Sequence, residues 1–246
     1  MVLYGFHSVA ARVKRAPQSI KELYIDNARL DARGRDLLKL AKDAGVRVLQ
    51  VPGERVEKLG AGHRHQGVVA LVEADVPQQT LHGLLDSIDA SGKPALLLIL
   101  DGVTDPRNLG ACLRVADGAG AQAVIAPKDH SCMLTDTAIA TASGAAESIP
   151  YIQVTNLARA LDEIQEHRIW VLGTDDEAPK TLYQEALPES IAWVLGAEGT
   201  GMRRLTKERC DTLVSIPMRG SVSSLNVSVA AGIVLYESVR RASLGK

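Results

Sequence analysis

Cysteine is scarce in this chain: Cys112, Cys132 and Cys210 are the three among 246 residues, odd in number and without metal-ligand spacing. A disulfide framework and a zinc ribbon are therefore not expected, and a reducing cytoplasm is the default compartment. Long apolar runs are missing as well. The longest, Ala95–Leu100, has the length of a buried strand and falls far short of the ~20 residues that span a bilayer. The opening stretch Met1–His7 has no basic region followed by a long apolar one, so neither a signal peptide nor a membrane partner is expected. No repeat and no low-complexity tract is visible.

What is present is a foldable composition. The apolar fraction is 46%, high enough to bury a core, and the length suits one large or two small domains. A formal net charge of −1 argues against a polyanionic partner only if the charge is evenly spread. It is not. Residues 1–75 carry 13 Lys and Arg against 9 Asp and Glu, a balance of +4, while residues 76–246 carry 15 against 20, a balance of −5. A basic module joined to an acidic one fits a division between polyanion contact and chemistry. An excess of four also lies within ordinary variation.

Residues 1–72 alternate strand and helix, with strands at Glu22–Asp26, Val46–Val51 and Gly67–Val72 and a helix over about 31–44. Arg12, Lys14 and Arg15 near one helix end, and the cluster His63–Gln66, are candidate phosphate contacts or simply a solvated surface. Residues 73–94 read as a linker containing a short helix marked by Leu81, Leu84, Leu85 and Ile88. Residues 95–246 repeat strand and helix more regularly. Strands are expected at 95–100, 123–126, 169–173, 191–195 and 213–216, with helices near 108–119, 135–146, 155–167, 203–210 and 224–242. That pattern predicts an α/β fold with a mainly parallel sheet covered on both faces, whose ligands sit beyond the carboxyl ends of the strands.

Three loops at such ends have unusual chemistry. In the first, Asp105-Pro-Arg-Asn-Leu-Gly110, Asn108 is a candidate helix N-cap, and Leu109, Cys112, Leu113, Ala116 and Gly120 mark a core-facing stripe. Arg114 falls opposite that stripe, free to face a cleft or solvent. The dinucleotide fingerprint Gly-x-Gly-x-x-Gly is absent from this turn, so a nicotinamide dehydrogenase loses most of its support. The second loop, Leu195-Gly-Ala-Glu-Gly-Thr-Gly-Met202, has three glycines that let backbone approach a ligand closely. Its Glu198 would repel a pyrophosphate; the alternative is a structural turn with a solvated carboxylate. In the third, Ile216-Pro-Met218 leads to Ser224-Leu-Asn-Val-Ser228 and then to a segment apolar almost all round, which predicts a helix buried within the domain or against another subunit. Ser224 and Asn226 at its first turn are either plain caps or groups facing a ligand.

Taken together and in this order, the three loops resemble the motifs of the SPOUT methyltransferases, in particular the SpoU/TrmH branch of RNA ribose 2′-O-methyltransferases. The likeness covers residues 95–243 by motif, and Leu3–Val9 and His65–Val68 extend it through the first module. The resemblance implies a C-terminal α/β domain tied in a deep trefoil knot, preceded by a small ribosomal-protein-like RNA-binding domain. It implies S-adenosylmethionine as methyl donor, held near Gly196, Ile216 and Leu225 with Gly201 and Met218 close by, and no metal, because the sulfonium already activates the leaving group. Arg114 would take the 2′-hydroxyl proton or stabilise the alkoxide. Arginine is normally too basic to act as a neutral base, which favours stabilisation and phosphate anchoring. Glu198, Ser224 and Asn226 would position Arg114, ribose and cofactor, and Asn108 would hold the loop or the RNA backbone. The resemblance further implies a homodimer through the C-terminal domain, and a guanosine of the 23S rRNA peptidyl-transferase loop as substrate. A noncatalytic RNA-binding or ribosome-assembly protein on the same fold is the competing reading, and the intact Arg114, Glu198 and Asn226 speak against it.

Overall fold

The computed structural model describes residues 2–29, 31–63, 65–73 and 79–244. Arg64 of the basic cluster and residues 74–78 of the expected linker lie outside these. By contact density the chain divides into two units, residues 1–78 with 143–148, and residues 79–142 with 149–246.

The first unit begins with β1 (Val2–Tyr4), α1 (Phe6–Arg15) and β2 (Ile20–Asp26), followed by α2 (Ala32–Asp43), β3 (Val48–Val51), α3 (Gly53–Gly60) and β4 (Val68–Val72). Its four-stranded sheet has the order β1-β4-β2-β3, with β3 parallel to β2 and β4 antiparallel to both β1 and β2. Leu3, Val9, Val13, Leu23, Ile25, Leu37 and Ala70 form its core. Neither β1 nor α3 stands out in the sequence pattern: three residues are too few for a periodic signal, and α3 buries only Val56 and Gly60. One sequence expectation is overturned here. Arg12 is not a free cation; it is 8% exposed, and its Nε donates to Glu147 at 2.5 Å while Nη1 reaches Ser19. Arg15 donates to the Glu147 carbonyl, so of that cluster Lys14 alone is an exposed cation without such a partner among the described residues.

The second unit starts with α4 (Leu81–Ser91), whose Leu81, Leu84, Leu85 and Ile88 pack into its core. It continues through β5 (Leu96–Asp101), α5 (Pro106–Ala119), β6 (Ala123–Pro127) and α6 (Asp136–Ala142). After α7 (Ala145–Ser148), which clusters with the first unit, come β7 (Tyr151–Val154), α8 (Leu157–Glu166), β8 (Trp170–Thr174), β9 (Ile191–Gly196), α9 (Arg204–Glu208), β10 (Thr212–Val214) and α10 (Val227–Leu244). The six strands are all parallel, in the order β10-β8-β9-β5-β6-β7. Leu97, Leu98, Ile99 and Leu100 are fully buried, the mark of a strand covered on both faces. The helix expected over 135–146 is two pieces, broken where Ser143 and Gly144 take positive φ. Strand β7 has no counterpart among the expected strands, because its four residues include only one fully buried position, Ile152.

Two details of α5 correct the sequence reading. Its N-cap is Asp105, not Asn108: the Asp105 carboxylate accepts from the amides of Arg107 and Asn108, with Pro106 at the first helical position. Gly120 is not on the core stripe but is the left-handed C-cap, with φ 76°. Of the two expectations for the last helix, full burial within its own domain is not met. The helix starts at Val227 and is buried on one side only, through Val227, Ala231, Val234 and Leu235, while Val229 and Tyr236 are each 50% exposed.

Helix α10 is fastened by Glu237, whose carboxylate accepts from Arg240 and Arg241; Arg241 in turn donates to the carbonyls of Leu182 and Glu185. The Arg240 hydrogen bond, with help from Arg241 and against the opposing pull of burial, lowers the Glu237 carboxyl from 4.5 to about 2. A carboxyl depressed in the folded state contributes stability above its unfolded value, and that contribution is lost as pH falls from about 4.5 towards 2. Glu237→Gln is expected to cost about 1–2 kcal/mol at neutral pH and to flatten the acid limb of stability. Tm measured against pH for both proteins checks this.

Candidate functional site

The loops singled out in the sequence leave the carboxyl ends of β5, β9 and β10, on the side of a parallel sheet where ligands bind. A cleft of about 260 Å³ opens there. Gly196, Gly201, Ile216, Met218, Ser224 and Leu225 all line it, together with Asp175 and Asp176 beyond β8 and Lys207 of α9. Its floor is a tight turn: Ala197 and Gly201 exchange backbone hydrogen bonds at 3.2 and 2.9 Å. Gly199 and Gly201 carry φ of 81° and 66°, values costly for a residue with a Cβ. Gly196 is required for a different reason, since a Cβ there would overlap the Gly201 and Met202 backbone.

Glu198 at the tip of this turn gathers the other two loops. One carboxylate oxygen accepts from the Asn226 amide at 2.5 Å, the Val227 backbone N–H at 3.2 Å and the Asn108 amide at 3.3 Å. Asn226 also donates to the Asn108 side-chain oxygen at 3.0 Å, and its own oxygen accepts from the Ser228 amide and hydroxyl. Residues 28, 90 and 118 positions apart in sequence thus form one network. Asn108 is available for it because Asp105 does the capping. Glu198 also sits at the first turn of α10, where a carboxylate is favoured by the helix dipole. Ser224 lines the cleft without entering this network. Arg114 stands on the exposed side of α5, and no hydrogen bond or ion pair engages it among the described residues.

Two charged pairs at the site are not apparent from the sequence. Asp175 and Lys207 form an ion pair on the cleft wall. Burial pulls the Asp175 carboxyl up, but the hydrogen bonds from Lys207 and the Glu177 amide prevail and hold it below its ordinary value; the same contact raises the Lys207 ammonium. Asp101, at the end of β5 and 1% exposed, binds the backbone amide and guanidinium of Arg203. The one sequence signal for it is a lone carboxylate closing an apolar strand.

A parallel α/β sheet with a glycine-floored cleft beyond its strand ends, lined by main chain, apolar side chains and a few charged groups, is the arrangement of an α/β protein that takes a ligand at its strand ends without a phosphate-binding loop. Residues 95–236 match the SpoU rRNA Methylase family, and residues 2–78 match the family described as RNA 2′-O ribose methyltransferase substrate binding. The chain belongs to the SpoU rRNA methylase family. Among its relatives, the 23S rRNA (guanosine-2′-O-)-methyltransferase RlmB of Ralstonia nicotianae is 56% identical over 243 residues, spanning 99% of this chain and 96% of that protein. The enzyme of that name from Salmonella typhimurium is 51% identical, spanning 98% of each. The solved SpoU methyltransferase AviRb from Streptomyces viridochromogenes, in complex with AdoMet, superimposes with a TM-score of 0.75 at 27% identity, over 98% of this chain and 90% of that one.

Enzymes of this family use S-adenosylmethionine, and the residues of the cleft fit it. Asp175, Asp176 and Glu198 outnumber Lys207, a balance that accommodates a sulfonium and disfavours a pyrophosphate. Gly196→Ala is expected to abolish S-adenosylmethionine binding, measured by titration calorimetry, because the new methyl group must displace backbone rather than a side chain.

Proposed function

We propose that this chain methylates the ribose 2′-oxygen of a guanosine in 23S rRNA, in the peptidyl-transferase loop. The observation that carries the reading is the convergence of Asn108, Glu198 and Asn226 on one network beside the glycine-floored cleft. Relatives at 50% identity or more over nearly the whole chain, each named for that reaction, support the substrate.

S-adenosylmethionine supplies a methyl group on a positively charged sulfur, which leaves as a neutral thioether. Gly196, Gly201, Ile216, Met218 and Leu225 hold this donor through main chain and apolar contact. The Asn108–Glu198–Asn226 network keeps the three loops in register, and Ser224 at the cleft presents its hydroxyl to ribose or donor. The acceptor hydroxyl must lose its proton, to solvent water at this open cleft, as the methyl group transfers. Arg114 sits beside the developing alkoxide as a permanent cation and anchors the adjoining phosphate. Its freedom from ion pairing among the described residues leaves the guanidinium available for both tasks.

The first unit serves as the rRNA tether, a small ribosomal-protein-like domain whose exposed Lys14, Arg33, Lys39 and Lys42 face solvent. The second unit is knotted as a trefoil. The pairing of Ser215 with residues 180–182, and the start of α10 under Glu198, lay the C-terminal segment against earlier loops, which is compatible with threading. The half-exposed Val229 and Tyr236 of α10 provide an apolar face for a second copy in a homodimer. The enzyme works in the cytoplasm, where rRNA is assembled; among the described residues no helix is long and apolar enough to cross a membrane.

Incubation with methyl-labelled S-adenosylmethionine and 23S rRNA, followed by nucleoside mapping, is expected to place the label on a guanosine ribose. Label on a base, or none, overturns the reading. Arg114→Ala is expected to lose at least ~100-fold in methyl transfer while binding the donor normally. In the full chain, Lys14→Ala with Arg33→Ala is expected to weaken rRNA binding and to lower the salt slope by about 1 for each phosphate no longer neutralised. Excision at residue 72 is a poorer test, because it strips the buried Arg12 of Glu147.

A further inference from the structure

We propose that Asp101 is a positioning residue for the donor-binding turn 196–202, holding the turn's exit at Arg203 in place before S-adenosylmethionine arrives. Asp101 closes β5 and pairs in register with Gly196, so it lies beside the point where that turn begins. Its side chain is fully buried, with 0% exposure. One carboxylate oxygen accepts from the Arg203 backbone amide at 2.9 Å; the other takes the Arg203 Nε and Nη2, both at 2.7 Å. Arg203 is the residue that follows the turn and caps α9. The entrance of the turn is therefore held by the β5–β9 ladder and its exit by Asp101, while its tip, Glu198, bonds to Asn108, Asn226 and Val227.

The chemistry explains why a carboxylate suits this place. Every group presented to it is a donor, and a buried ionised carboxylate is tolerable only when paired and hydrogen-bonded. The Arg203 guanidinium, 49% exposed, keeps the charge solvated on one side while closing the fork on the other. A carboxamide in the same volume would turn an N–H₂ towards an N–H and leave at least one buried donor unmatched. The turn would then lose its fixed path at the backbone that contacts the donor. The next residue, Gly102, has φ 85° and comes within 3.4 Å of Ala197 if given a Cβ, so the first motif loop is seated against the same turn.

This inference rests on the donor-binding reading of the cleft, not on the identity of the RNA, and equilibrium binding of S-adenosylmethionine tests it without turnover. For Asp101→Asn, the Kd for S-adenosylmethionine by calorimetry is expected to rise roughly tenfold to hundredfold. In the ligand-free full-length protein, amide hydrogen exchange over residues 197–203 is expected to speed up. In turnover with 23S rRNA the KM for the donor should rise by a larger factor than kcat falls. Arg203→Ala, which keeps the backbone bond but opens the fork, should shift the Kd in the same direction by less, and it serves if Asp101→Asn fails to fold. Glu237→Gln is the control for lost stability, since it weakens α10 away from the turn and should leave the Kd within twofold of wild type. A wild-type Kd with unchanged exchange in both site variants overturns the proposal, as does an equal rise in Kd for Glu237→Gln at a matched fall in Tm. Donor binding by the wild type without ribose methylation would instead refute the RNA reaction and leave the role of Asp101 standing.

Discussion

One carboxylate oxygen of Glu198 shared among three N–H donors is the interaction on which the site depends. It joins the first helix after β5, the turn after β9 and the start of α10, three pieces of chain with no reason to be adjacent in sequence. The donors include a helix-terminal amide, and the bond from the Asn226 amide, at 2.5 Å, is the shortest of the three. Glu198 itself sits at an exposed tip, which avoids the desolvation cost that a buried carboxylate would carry. The cleft beside it is correspondingly a product of backbone shape: Gly196 leaves no room for a side chain, and Gly199 and Gly201 supply the left-handed conformations of the turn.

The two units handle charge in different ways. In the first, a buried ion pair between Arg12 and Glu147 brings residues 143–148 against α1, where Gly144 leaves no space for a Cβ beside His7. A chain segment that belongs by sequence to the catalytic half is thus part of the fold of the first unit. In the second, Asp101, Asp175 and Glu237 each lie in nearly full burial against a cation that remains partly in water. Such pairs are internally neutral, so the −5 balance of this half resides in its remaining carboxylates. Near-neutrality of the whole chain is a poor guide to what its surfaces present.

The sheet is legible in the sequence because a strand buried on both faces must be apolar along its middle, and β5, β6, β8 and β9 are. Short or edge elements are not: β1, β7 and α3 carry too few buried positions for periodicity to register. Asp105 and Asn108 are both good capping types, and the signal that separates them is Pro106, which suits the first helical position and so marks Asp105 as the cap of α5. Arg12 has the look of a surface cation in sequence because its partner lies 135 residues away. His65 likewise bonds Glu57 and the Gly67 amide, so it is part of the local framework and not a free basic contact.

By itself the sequence determined the residue types: glycines where backbone must come close, a carboxylate within a glycine turn, amide side chains at two helix starts, and an arginine opposite a core stripe. Those follow from local chemistry and spacing, and they carry the family likeness. Tertiary structure decided which of them meet. That Asn108, Glu198 and Asn226 share a proton-donor network, that Arg114 stays apart from it, and that Asp101 anchors Arg203 all depend on contacts between segments 28 to 118 residues apart. Parallel strand order sets such contacts, and strand order is a property of the packed sheet, not of any window of sequence.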